Sequence, residues 1–101
     1  MIKISDADLH AHLKARMGQR GVTREEIERT LNMGWKAKDA KPGTGGKVFV
    51  FPYHETWQGK LFEQKEVTVY FKMVNEKMVL LSVKARYGRG FFKEGADEIR
   101  V

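Results

Sequence analysis

Two stretches of apolar alternation late in the chain constrain its fold most. Apolar side chains fall on every second residue across 67–73, and the pattern repeats across 79–85 beyond a short polar turn. A period of two residues is typical of strands with one buried face. The alternation predicts two antiparallel strands, 65–73 and 77–87, with one apolar face that needs cover. The predicted buried positions of the second strand are Val79, Leu81, Val83 and Ala85.

A third strand is predicted at 47–53, where apolar residues occupy both faces. Pro52 has no backbone N–H to donate, so we expect strand pairing to end near it. Residues 54–60 are then a hairpin connection or an extended loop. The preceding connector, 35–46, contains a proline and several glycines and is predicted to lack regular structure.

The cover for the sheet is predicted to come from two helices at the start of the chain. A helix is expected from the Ser5–Asp8 capping pattern to Gly21, with Leu9 and Leu13 in an apolar stripe every fourth residue. A second helix is expected from the capping box that Thr23 begins to a stop at Gly34.

These elements predict an α+β fold in a single domain, 1–101. A two-helix hairpin packs on a three- to four-stranded antiparallel sheet, because each needs the other's apolar face. In the tail, 88–101, we expect Phe91 and Phe92 to dock the chain, in a short fourth strand or a helical turn.

Composition bounds the partners. The chain carries a net charge of +6 and contains no cysteine, which excludes disulfides and thiolate metal sites. Its three histidines match no zinc motif, so no metal and no cofactor is expected. No apolar run is long enough for a membrane span, and the N-terminus lacks a signal peptide, which predicts a cytoplasmic protein. The basic charge favours RNA or another nucleic acid as partner.

A row of cationic side chains on the first helix suggests a site. His12, Arg16 and Arg20 recur every fourth residue at the edge of the face that should be buried. Charges there need an acidic partner, Glu28 for example, or a cleft that takes an anionic ligand. We expect this row to share a cleft with the end of the last strand. Its predicted catalytic residues are therefore His12, Arg16, Arg20, Lys84, Arg86 and Tyr87.

The segment from His12 to Ile27 also carries a family resemblance. Its histidine, the arginine four residues on, the Arg20-Gly21-Val22-Thr23 phrase and the acidic helix start resemble the bacterial domain-of-unknown-function family 4258. That family is placed with the barnase, EndoU, colicin and RelE-like ribonucleases and toxins. The resemblance implies a RelE/barnase-like fold, a ribonuclease activity, and an acidic antitoxin protein as a further partner.

Three functional hypotheses stay open at this point. The first is a metal-independent endoribonuclease or ribonuclease-like toxin, in which the RNA 2′-hydroxyl attacks the phosphate. His12 is then the general base or acid, and the arginines bind the phosphate. The second is a non-catalytic nucleic-acid-binding module. The third is a protein-interaction domain, which would show no salt-dependent binding of RNA.

Overall fold

Two short helices precede a four-stranded antiparallel sheet, which confirms the predicted α+β class and the order of its parts. The structure is a computed structural model that describes residues 1–91, so the predictions for Phe92 and for 93–101 lie outside it. Phe91 lies inside it, and its N–H donates to Gln64 Oε1 at 2.9 Å. The sheet order follows the chain. The elements are α1 (Ala11–Arg20), α2 (Arg24–Met33), β1 (Trp35–Lys36), β2 (Gly45–Trp57), β3 (Lys60–Val74) and β4 (Lys77–Gly88).

The first helix begins later than predicted. Ser5 and Asp8 do form a capping pair, in which the Ser5 N–H donates to Asp8 Oδ2 at 2.9 Å, but they cap only a 3-10 turn at Asp6–Asp8. The chain is non-helical at Leu9, and His10 then caps α1. Its Nδ1 accepts the Leu13 N–H at 3.3 Å and its Nε2 lies 2.9 Å from the Leu80 carbonyl oxygen. A contact between residues 70 positions apart has no local sequence signal.

The second helix matches its prediction. The Thr23 hydroxyl accepts the Glu26 N–H, and the Glu26 carboxylate accepts the Thr23 N–H, so the capping box is confirmed. Between the helices, Gly21 has a φ of +71° and lies so close to Trp57 that a Cβ would be 2.4 Å from its ring. Only glycine fits both the left-handed turn and this contact.

The strands extend further than predicted. β2 and β3 pair from Gly45 to Trp57, so residues 54–57 and 60–64 are strand and not loop. Pairing survives Pro52 because β1 covers only the start of β2, which leaves the proline on an edge, and because the register shifts between Pro52 and Glu55. The prediction of an irregular connector over 35–46 is wrong at both ends, since its first two residues form β1 and its last two, Gly45 and Gly46, begin β2.

The predicted buried face of β4 is wrong over the first half of the strand, because β4 contains a bulge. Tyr70 pairs with Ser82 but Phe71 pairs with Leu80, which leaves Leu81 as an extra residue. Before the bulge the pattern is therefore inverted: Leu80 is buried, whereas Val79 is exposed. After the bulge the alternation holds, and Val83 is buried as predicted.

The core lies between the helices and one face of the sheet. α1 contacts β4, and α2 contacts β2 and β3. Neither helix of the described chain is long and apolar enough to cross a membrane. The buried core residues are Ile4, Leu9, Leu13, Val22, Ile27, Leu31, Val67, Val69, Leu80 and Val83.

Candidate nucleic-acid interface

The sheet separates the residues that were expected to share one cleft. Val83 and Ala85 of β4 face the helices and join the core, so Lys84 and Arg86, which alternate with them, point to the opposite side. We call that opposite side the outer face. The cationic row of α1 lies on the helix side, and the six predicted residues therefore do not meet at one phosphate.

On the helix side, the predicted residues do not form a closed site. His12 and Arg20 are exposed and Arg16 is half-buried. Within residues 1–91 Arg16 forms no ion pair, and the carboxylate of Glu28 accepts the Ile4 N–H at 2.7 Å.

Tyr87 also points to the helix side. Its hydroxyl donates to the Arg20 carbonyl oxygen at 2.6 Å, and its ring stacks on Trp57 with centroids 5.0 Å apart. Burial raises the pKa of Tyr87 to about 12, which keeps the phenol protonated at neutral pH. These contacts describe a residue that fastens the end of α1 to the sheet.

The outer face carries an open groove of about 440 Å³ between β1, the loop after it and the central strands. We call it the outer-face groove. Among residues 1–91, four cationic side chains and two carboxylates line it, so the cations of this part of the chain outnumber its acids by two. The lining residues are Trp35, Lys36, Lys38, Asp39, Val48, Glu66, Thr68, Lys84 and Arg86.

A three-residue cluster lies at one side of the groove. The Lys84 ammonium donates to Asp39 Oδ2 at 2.6 Å, and the Tyr70 hydroxyl donates to the same carboxylate at 2.9 Å. Asp39 belongs to the loop 37–44, which folds over the outer face. The cluster therefore fixes this loop against β3 and β4.

A second ion pair, between Glu66 of β3 and Arg86 of β4, lies on the same face two residues along from Lys84. The Arg86 Nε donates to Glu66 Oε1 at 2.7 Å, and Nη2 donates to Oε2 at 3.0 Å. This bidentate geometry holds the carboxylate in one orientation. The Glu66 side chain is 11% exposed and that of Arg86 is 61% exposed. The Arg86 guanidinium carbon lies 4.8 Å from the centre of the Phe91 ring, so Phe91 covers one side of the guanidinium and a ligand can reach the exposed remainder. Arginine has five N–H donors, and three of those of Arg86 form no hydrogen bond with residues 1–91.

The protonation states of the outer-face residues follow from these contacts. The hydrogen bond from Lys84, and then that from Tyr70, lowers the pKa of the Asp39 carboxyl, and the same bond to Asp39 raises the pKa of Lys84. Hydrogen bonding to Glu66 raises the pKa of Arg86, and burial raises that of Tyr70. At neutral pH Lys84 and Arg86 are therefore charged and Asp39 is ionised.

The sequence contained part of the signal for this site. Glu66 and Tyr70 alternate with buried valines of β3, which assigns them to the same face as Lys84 and Arg86. Asp39 had no such signal, because it lies in an irregular loop 45 residues from its partner. Within the described residues, no three histidine, aspartate or glutamate side chains gather as ligands for a metal.

Comparisons with known protein families, with curated proteins and with solved structures give no match for this chain.

Proposed function

We propose that this protein is a metal-independent endoribonuclease whose outer-face groove holds the RNA phosphate. The support is the Glu66–Arg86 pair, which sets an oriented carboxylate beside an exposed guanidinium in a groove whose described residues carry more cations than carboxylates. A carboxylate can take a proton, and guanidinium and ammonium groups bind phosphate oxygens. The α1 row offers no comparable enclosure among the described residues.

In the proposed reaction the RNA supplies its own nucleophile. Glu66 accepts the proton of the 2′-hydroxyl as its oxygen bonds to phosphorus. The bond from phosphorus to the 5′-oxygen breaks, and Lys84 donates a proton to that leaving oxygen. Arg86 stabilises the charge that develops on the phosphate, since it lies two residues from Lys84 on the same strand face. The product is a 2′,3′-cyclic phosphate.

The order of two helices before an antiparallel sheet also supports our proposal that the fold is RelE/barnase-like. An acidic antitoxin stays a prediction of the sequence, and we propose that it covers the outer-face groove. Its electrostatic basis would be the same excess of cations that favours RNA.

The test is cleavage of single-stranded RNA by purified protein in EDTA, with analysis of the product ends. Glu66→Gln is expected to lower the rate by about 100-fold or more while RNA binding persists, because a base contributes roughly 10²–10⁴-fold. Glu63→Gln is the matched control, since Glu63 is an exposed residue of the same strand. A rate unchanged by Glu66→Gln would overturn the assignment of the base.

His12→Ala separates this proposal from the site predicted on α1. Loss of cleavage in His12→Ala, with Glu66→Gln active, would place the chemistry on the helix side. Salt-dependent binding by wild type without cleavage of any RNA would instead support the non-catalytic binding module, because counterion release follows phosphate contacts alone. Lys84→Ala should weaken that binding, and the exposed Lys72 of β3 provides its control.

A further inference from the structure

A second cavity of about 440 Å³ opens on the outer face, on the other side of the Asp39–Tyr70 contact from the groove. We call it the bulge pocket. Its volume lies in the range of small-molecule sites. The lining residues are Asp39, Lys41, Thr44, Tyr70, Leu81 and Ser82.

The β4 bulge builds this pocket. Regular alternation would send Leu81 and Ser82 to opposite faces, but the extra residue lets both line the pocket. Bulges re-aim side chains in this way and are over-represented next to active sites. The pocket thus gains an apolar wall from Leu81 and a hydroxyl from Ser82 at one position of the strand.

The ring of Tyr70 forms another wall of the pocket and is held in place by its contacts. Asp39 holds the Tyr70 hydroxyl at 2.9 and 3.0 Å, and a Cβ on Gly46 would be 3.2 Å from the ring, so the backbone of β2 packs against it. The loop 37–44 forms a further wall through Lys41 and Thr44, where the Thr44 N–H donates to the Lys41 carbonyl oxygen at 3.0 Å in a turn. A planar ring, an aliphatic side chain and a few polar groups suit a flat heteroaromatic ligand.

The pocket also lies next to the proposed phosphate position. The Lys84 Nζ is 5.7 Å from the centre of the Tyr70 ring, and Asp39 lines both cavities. A phosphate bound by Lys84 would therefore have its own nucleoside within reach of the bulge pocket.

We infer that the bulge pocket binds a nucleobase of the RNA strand, packed between Tyr70 and Leu81, while the adjacent phosphate occupies the outer-face groove. This inference rests on the proposed function and adds a base-binding site to it. Base–aromatic packing of this kind tolerates different bases, so the site favours single-stranded over paired RNA.

The experiment compares a short single-stranded RNA with the same strand carrying one abasic residue, at each position in turn, by fluorescence anisotropy. Wild type is expected to bind the intact strand about five- to 100-fold more tightly than one of the abasic strands. Leu81→Trp fills the pocket and should remove that difference while preserving the salt dependence of binding. Leu61→Trp is the matched control, because Leu61 is 69% exposed near the far end of the sheet.

A second variant guards against misfolding. Tyr70→Leu removes the ring without filling the pocket, and it should also lose the base-dependent part of the affinity; circular dichroism verifies the fold of each variant. If wild type binds intact and abasic strands equally and binding still depends on salt, the base site is overturned, but phosphate binding in the outer-face groove is still supported. No binding of any strand would overturn both.

Discussion

Glu26→Gln tests the one buried ion pair that links α2 to the sheet within the described chain. The Lys65 ammonium donates to Glu26 Oε1 at 2.7 Å and to the carbonyl oxygen of Gly21. The Lys65 side chain is 3% exposed, so it cannot reach water when its partner loses charge. Glutamine still accepts the Thr23 N–H and preserves the capping box, which isolates the loss of charge from the loss of the cap.

The magnitude follows from the burial of the two partners. Breaking a buried pair costs roughly 3–5 kcal/mol in the free energy of unfolding. Glu26 is 19% exposed and the Gly21 carbonyl continues to accept from Lys65, so we expect a smaller loss, about 2–3 kcal/mol. For a domain of this size that corresponds to a fall of roughly 10–20 °C in Tm.

Urea unfolding followed by tryptophan fluorescence measures the effect, because Trp57 lies against Gly21. The double variant Glu26→Gln/Lys65→Met should be more stable than Glu26→Gln alone, since methionine leaves no buried charge. Glu25→Gln, at an exposed neighbour, is the control. A loss below about 0.5 kcal/mol for Glu26→Gln, as for a surface pair, would refute the reasoning.

Three further predictions concern single residues. His10→Ala should cost about 1–2 kcal/mol in denaturant unfolding, because it removes the α1 cap and the contact with β4, whereas His12→Ala at an exposed position should cost little. Thr30→Val should leave stability within about 0.5 kcal/mol or raise it, since the buried Thr30 hydroxyl has no hydrogen-bond partner among the described residues; a larger loss would reveal one. Tyr87 has a pKa of about 12 in the folded protein, so its contribution to the free energy of unfolding is complete below about pH 10 and is lost between about pH 10 and 12. Denaturant unfolding of Tyr87→Phe should therefore show a smaller loss of stability over this pH range than wild type, and equal losses would contradict this.

Features set by neighbouring residues were predictable. The Thr23–Glu26 capping box depends on residues three apart, and its geometry is local. Period-two alternation identified β3 and the second half of β4 for the same reason. The β4 bulge was not predictable, because one extra residue inverts the pattern without a glycine or proline to mark it.

The candidate site was predicted in part. Lys84 and Arg86 were chosen correctly as residues of one strand face, and the same alternation places them away from the helices, on the face opposite Val83. Strand alternation is therefore enough to show that Lys84 and Arg86 lie on the opposite side of the sheet from the cationic row of α1. It also puts Lys65 in phase with Val67, which marks a buried lysine that needs an acid. The contact between Asp39 and Lys84 could not be predicted in this way, since no local sequence pattern places the Asp39 loop over β4.

The two faces of the sheet use ion pairs in opposite ways, and this difference bears on function. Lys65 and Glu26 are buried together, so no ligand can replace either partner without leaving a charge in the core. The Lys84–Asp39 pair is 43% and 55% exposed and Arg86 is 61% exposed, so both cations can contact an anionic ligand while they keep their carboxylate partners. Exposed pairs contribute little to stability, so a ligand that shares the Lys84 ammonium with Asp39 costs the fold little, and Asp39 continues to hold Tyr70. A groove with such accessible cations can bind a polyanion, as the proposed function requires.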